Sequence, residues 1–358
     1  MSRFIIRRLL LSIPVLFGVV TLVFILARVI PSDPCRAALG EKATDEICNA
    51  FNIRYGLDRP LPIQYVSYIG QVLGGDLGTS IRFNRTVADM LVERLPVTIE
   101  LTIYALLFAT IVGIFLGRAS AIRRNSPADT GTMVIANLGV SIPVFVLGLA
   151  LAYLFAVVLK GTPLALPPSG RLTPGTEVIP LAQAWGLQGL EGFPRATLDF
   201  FSNINTINAI LTLNGALLVD TIRHMILPAI ALGTIPMAII ARMTRSSLLD
   251  VLGLDYIRTA RAKGVAERRV VSAHAMRNAL LPVVTIIGLS LGGLLSGAVL
   301  TETIFNLTGI GKSIVEAITG RDYIVIQGLV LVVAFIYVVV NLVVDVSYAL
   351  LDPRIRLG

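Results

Sequence analysis

Cysteine, histidine, tryptophan and charge are all scarce in this 358-residue sequence. It holds two cysteines, Cys35 and Cys48, two histidines, His224 and His274, and one tryptophan, Trp185. No Cys-x-x-Cys occurs and the histidines are far apart, so the roughly four ligands of a structural zinc site are missing. Charged residues make up 15% of the chain, against about 25% in soluble domains. With 55% hydrophobic residues, the chain cannot clothe itself in polar surface, and lipid must serve as its solvent. The net charge of +8 is not the footprint of a nucleic-acid binder, because no basic stretch carries interleaved aromatics for base stacking. Basic loops facing an anionic leaflet account for it.

What the sequence does have is long apolar runs. Arg3, Arg7 and Arg8 precede the run Leu9–Ile30, which is longer than a signal-peptide core and is read as an uncleaved first helix. Five more spans are expected near 99–118, 132–159, 223–243, 281–303 and 324–350. Pro228 and Pro236 fall inside the fourth and predict a kinked helix within a bundle. The fold class is therefore all-α, with six transmembrane helices. With both termini inside, segments 1–8, 118–131, 242–282 and 351–358 hold about 16 Lys/Arg in about 70 residues. The outer segments 31–98, 160–222 and 304–323 hold about 12 in about 150, which assigns both termini to the cytoplasm.

The outer segments 31–98 and 160–222 are long enough to be either functional or disordered. An amphipathic stretch, "VADMLVERLP", leads into the second helix. Cys35 and Cys48 lie together on the first outer loop; in an oxidising compartment they form a candidate disulfide, and otherwise they are two free thiols.

Residues 242–282 form the most informative inner loop, with about 8 Lys/Arg to 3 acidic residues. Leu248, Leu252, Tyr256 and Ala260 recur every four residues, predicting one apolar helical stripe. Gly264 sits where a helix C-terminal glycine belongs, and a second helical stretch runs to Asn278. Two short helices joined by a glycine turn can act as a lever docked on a soluble motor, or can simply be a basic surface loop.

Small residues crowd the fifth span: Gly288, Gly292, Gly293, Ser296 and Gly297, with Gly113 and Gly117 echoing the spacing in the second. Such positions let helix backbones approach, either to line a sliding pathway or for plain packing. Glu100, Glu302 and Asp345 are the charges near membrane depth. Glu100 and Glu302 are expected near water at the outer ends, with Glu302 a candidate for touching cargo. Asp345 is expected to pair with Arg354 or Arg356. Two motifs are decoys. "GLSLG" (288–292) matches a nucleophile elbow but sits in a membrane helix. "NLTGIGKS" (306–313) has Asn306 where the first P-loop glycine belongs, and falls on the outer face.

On these residues the chain resembles the permeases of the dipeptide, oligopeptide and nickel ATP-binding-cassette importers. Ala260, Gly264, Asn278, Leu281 and Pro282 match that family's EAA loop, although Arg258 and Thr259 replace the first two residues of the triplet. The opening helix, "GDLGTSI" (75–81), "HMILPAIALGTIPMAIIARMTRSS" (224–247), "GAVLTETIF" (297–305) and the closing "DPRIRLG" also fit, and they fit the first of the two permease subunits better than the second. Segment 160–222 is the weakest match. The resemblance implies a type I importer permease fold: a first helix with its outer loop (1–94), a permease core (95–351) carrying the extracytoplasmic insertion 160–222 and the coupling loop 242–282, and a cytoplasmic tail (352–358). It implies a bacterial inner-membrane location and no catalysis or bound cofactor in this chain. Its implied partners are a second homologous permease, two ATPase subunits using ATP and magnesium, an extracytoplasmic substrate-binding protein and a peptide cargo, in surrounding lipid and without nucleic acid. Asp255, Tyr256, Arg258, Ala260, Arg261 and Gly264 are the implied ATPase-coupling residues. Glutathione or a nickel complex as cargo, and an ion-gradient-driven secondary transporter, are the alternatives.

Overall fold

The computed structural model describes residues 2–29, 35–36, 40 and 42–351. The tail 352–358, with Arg354 and Arg356, lies outside the described residues. Among those described, the extended pairing is one isolated antiparallel bridge, Thr79 with Thr86, and the rest of the regular structure is helical.

Helix α1 (Ser2–Val29) carries the apolar stretch Ile5–Leu26. Two short helices follow. Helix α2 (Asp45–Arg54) starts where Thr44 accepts the Ile47 N–H, and α3 (Leu61–Leu73) starts on Pro60. Helix α4 (Val87–Ile122) begins at the Thr86 cap, so the amphipathic stretch 87–96 is its own first turns rather than a separate approach segment.

The span expected at 132–159 is broken. Helix α5 (Pro127–Ser141) and helix α6 (Val144–Tyr153, continued by a π-turn over Leu154–Val158) meet at 103°. Pro143 has no N–H for the ladder and holds Ile142 extended (φ −86°, ψ 121°), which ends α5. Counting that bent pair as one, the helices among the described residues long and apolar enough to cross a membrane number up to six.

Segment 160–222 folds into α7 (Leu181–Ala184), α8 (Gly192–Ser202), α9 (Asn205–Leu211) and the start of α10 (Gly215–Leu252). Helix α10 starts earlier than expected because Asn214 accepts the Leu217 N–H, and it runs on through the buried Pro228 and Pro236. It is the hub of the bundle, packed against α4, α5, α6 and α12 (Glu267–Ile304). In lipid, apolar burial alone does not drive helices together, so close approach decides. A Cβ on Gly113 would lie 2.8 Å from the Met237 carbonyl, one on Gly117 2.4 Å from the Ala241 carbonyl, and one on Gly233 2.5 Å from the Ala105 carbonyl. The Gly113/Gly117 spacing thus packs α4 on α10.

Helix α13 (Ile310–Thr319) leads to α14 (Tyr323–Leu351), which pairs with α1 at the periphery. There Asp345 takes Arg8 as its partner at 2.8 Å, since the antiparallel pairing brings the start of α1 beside the end of α14.

Candidate functional site

The hairpin at 255–278 is built by two interruptions. Gly253 caps α10 and Leu254 is extended (φ −76°, ψ 151°), so α11 (Asp255–Ala262) starts as a new helix. Gly264 then adopts φ +74°, and the chain turns into α12. The break corrects the expected stripe. Leu248 is buried, but Tyr256 is 40% exposed and Ile257 (0%) faces the core in its place, because two non-helical residues shift the register. Ile257 packs with Ala121, Leu248, Val270, Val271, Ala275 and Met276, which seats α11 on the C-terminal ends of α4 and α10 and the start of α12.

Polar contacts complete the hairpin. Arg261 donates through Nε and Nη2 to Glu267 at 3.0 and 2.6 Å, spanning the Gly264 turn with a bidentate fork. That pair holds the Arg261 guanidinium pKa above its ordinary value. The Tyr256 hydroxyl accepts from Asn278 Nδ2 at 2.8 Å and donates to the His274 carbonyl at 3.4 Å, tying α11 to α12 beside a π-segment at Val270–Ala275. Asp255 and Arg258 pair at 3.2 Å on the solvent side, and Ala260 is half-buried. A Cβ on Gly264 would meet nothing within 4 Å, so within this chain glycine is required by its backbone angle alone.

Sequence reasoning missed the clamp above the hairpin. Asp129 on α5 receives Arg245 Nε and Nη2 of α10, both at 2.9 Å, together with the Ser120 hydroxyl of α4 and the Asn125 N–H. Three helices meet on one buried carboxylate. The available signal was local: Ser126 and Asp129 have N-cap spacing.

The small residues of α12 separate into two groups. Gly292 faces Tyr337 of α14, where a Cβ would come within 3.0 Å, and so packs. Gly293 and Gly297 are exposed and line an apolar groove of about 260 Å³ with Val144, Leu232, Pro236 and Ser290. Ser296 is exposed beside them, and Gly288 is half-buried. Ser290 donates to the Ile286 carbonyl at 2.7 Å as an ordinary back-bonded helix residue, with none of the geometry of a nucleophile elbow.

Glu100 and Glu302 depart from expectation, since both are buried rather than open to water. Glu302 accepts from the Thr98 hydroxyl at 2.6 Å and the Lys312 N–H at 2.9 Å, and Thr98 accepts the Ile310 N–H at 2.9 Å. Its carboxylate occupies the N-terminus of α13, so close to Gly309 that a Cβ there would lie 2.4 Å away. The P-loop-like "NLTGIGKS" is thus a helix start filled by the protein's own carboxyl group, and Glu302 is buried within this chain. Glu100 does the same for α9, accepting the Thr206 N–H and hydroxyl at 2.7 Å and pairing with Arg171 at 2.9 Å. Between α1 and α4, a disulfide joins Cys35 and Cys48 (Cα–Cα 5.3 Å), packed with Phe51. Among the described residues, no group of three or more His, Cys, Asp or Glu side chains could hold a metal ion.

Comparison with known proteins agrees with this architecture. Residues 109–357 match the family described as binding-protein-dependent transport system inner membrane component, and residues 1–102 match the N-terminal model of the same transport systems. The chain is 45% identical over 357 residues to a di/tripeptide transport system permease protein of Pseudomonas aeruginosa, covering 99% of both chains. It is 42% identical over 363 residues to a dipeptide transport system permease protein of Escherichia coli strain K12, again covering 99% of both. A probable D,D-dipeptide transport system permease protein of the same strain is 40% identical over 344 residues, covering 96% of this chain and 94% of that one. With its apolar helices, broken third span and the hairpin at 255–278, this chain belongs to the binding-protein-dependent transport system inner membrane components, the permease subunits of ATP-binding-cassette importers, and is a multi-pass inner-membrane protein.

Proposed function

We propose that this permease moves dipeptides across the inner membrane and couples to ATP through residues 242–282. The observation that carries the reading is the construction of the hairpin: α11 is anchored on buried Ile257 and on Tyr256–Asn278, yet presents Asp255, Arg258 and the open Gly264 turn to solvent. An element docked on that surface would move α10 and α12 as a unit, because the hairpin is continuous with both. The exposed groove along Gly293 and Gly297 is the face we assign to the second permease and the central pathway. Hydrolysis of ATP belongs to two separate ATPase subunits, which would hold the nucleotide and magnesium; none is assigned to this chain. A substrate-binding protein would deliver cargo to the outer surface formed by 31–98 and 160–222. Cytoplasmic termini are the reading supported by the basic segments 1–8, 118–131, 242–282 and 351–358, and the Cys35–Cys48 disulfide suits an outer loop on the oxidising side.

Tagging this chain in its host, extracting it in mild detergent and identifying its companions by mass spectrometry tests the reading. A second permease and ATPase subunits are expected. Recovery of this chain alone, with proton- or sodium-driven flux in vesicles, would reverse it in favour of a secondary transporter.

A further inference from the structure

A cavity of about 430 Å³ opens between the outer end of α1, the short helices α2 and α3, and the first turns of α14. It shares no lining residue with the groove on α12. Arg28, Arg54 and Arg59 line it against a single carboxylate, Asp76, which already accepts the Gly78 N–H at 2.8 Å. Among the described residues none of these three arginines has a carboxylate partner. Arg28 is held in place: its Nε donates to Gln64 at 2.9 Å and its guanidinium lies over the Phe24 ring at 4.8 Å. Tyr68 also lines the cavity, and burial pushes its phenol up to about 12, so it remains an O–H donor at neutral pH.

The second observation is independent of the arginines. Gln327 on α14 is 4% exposed, lines the same cavity, and its Nε2 has no hydrogen-bond partner. Buried polar groups left unpaired are rare and call for a missing partner. Here the missing partner is an acceptor, in a cavity lined by three arginines against the one carboxylate of Asp76.

Depth in the membrane names the acceptor's source. The apolar stretch of α1 ends at Leu26, two residues before Arg28. Helix α3 turns Tyr65 and Tyr68 onto Phe24 and leaves Leu61, Ile63, Val66 and Leu73 exposed, as a helix lying in the membrane interface does. The cavity therefore stands at head-group level. Guanidinium forks and amide N–H groups are the recognition chemistry of a phosphate oxyanion.

We propose that this cavity binds the phosphate of an anionic phospholipid head group, gripped by Arg28, Arg54 and Arg59 with Gln327 and Tyr68 completing the donor set. Assignment to the outer leaflet rests on the orientation proposed above; the site itself does not. A lipid held there would brace the peripheral α1–α14 pair against the outer loop.

The test uses the complex purified through the tagged full chain, in nanodiscs of equal parts phosphatidylglycerol and phosphatidylcholine, with native mass spectrometry of the lipids retained on release. Wild type is expected to keep phosphatidylglycerol. The variants R54Q/R59Q and Q327L are expected to keep about tenfold less, which corresponds to about 1.4 kcal/mol. R54K/R59K, which retains the charge, should recover part of it and guards against misfolding. Equal retention by wild type and variants overturns the proposal. In a second arm, inorganic phosphate is added to lipid-depleted protein in detergent. If it raises the melting temperature of wild type alone while no lipid is retained, the source is a soluble oxyanion and the lipid assignment falls. Neither arm reads transport, so failure here leaves the importer reading untouched.

Discussion

Gly264 separates two roles that one substitution would confuse. Its φ of +74° is left-handed, where a residue with a Cβ costs roughly 1–2 kcal/mol. Because a Cβ there meets no atom of this chain within 4 Å, no clash term is added. Gly264→Ala should therefore loosen the turn by about 1–2 kcal/mol, a factor of about 5–30 in the local opening equilibrium. Amide exchange at Val265 and nearby would report it, with the bundle unchanged. Gly264→Asp tests the other role. Aspartate is tolerated in the left-handed region, so the turn should stay closed. Its carboxylate would enter the open space that the coupling account fills with an ATPase surface. The expected result is a fully inserted chain with near-native exchange that loses ATPase co-purification and dipeptide uptake. Wild-type uptake by Gly264→Asp would refute the reasoning, since the turn would then be neither docked nor coupled.

Other predictions rest on the buried polar joints. Asp129→Ala removes the carboxylate that Arg245 and Ser120 share among α4, α5 and α10, and because Arg245 stays partly open to solvent the cost is that of lost charged hydrogen bonds, about 1.5–3 kcal/mol; thermal unfolding in detergent should drop accordingly, and a drop no larger than that of a surface control would contradict the clamp. Glu302→Ala removes the acceptor of Thr98 and Lys312 N–H, at about 1–3 kcal/mol for each donor left unpaired. Its signature is lower stability with an unchanged KM for dipeptide; a raised KM at native stability would restore a cargo role. Reducing or replacing the Cys35–Cys48 bridge, with 13 residues of sequence separation, should cost about 3 kcal/mol in the outer loop. Non-reducing peptide mapping that finds two free thiols in wild type would remove the basis of that expectation.

The membrane helices were legible because length and hydropathy are local properties, and the hairpin was legible because Gly264 marks its turn. The break at Pro143 was in plain view, yet the apolar run on both sides of it reads as one span until proline's missing N–H is given its weight. Asn214 likewise announced an earlier start for α10 and was passed over in a polar loop. Gly253 was harder: its consequence is rotational, replacing Tyr256 with Ile257 on the buried face, and four-residue periodicity assumes an uninterrupted helix. Glu100 and Glu302 could not be read at all. Their partners, Thr206 and Thr98, lie 106 and 204 residues away, and charges near a span end look solvated until the fold places a helix N-terminus over them.

The most direct measurement is uptake of a labelled dipeptide into proteoliposomes holding this chain with its co-purified permease and ATPase subunits and its binding protein. The account predicts accumulation that requires ATP, is abolished by Gly264→Asp, and is indifferent to collapse of the ion gradients. Accumulation by this chain without ATP, driven by a proton or sodium gradient, would contradict it.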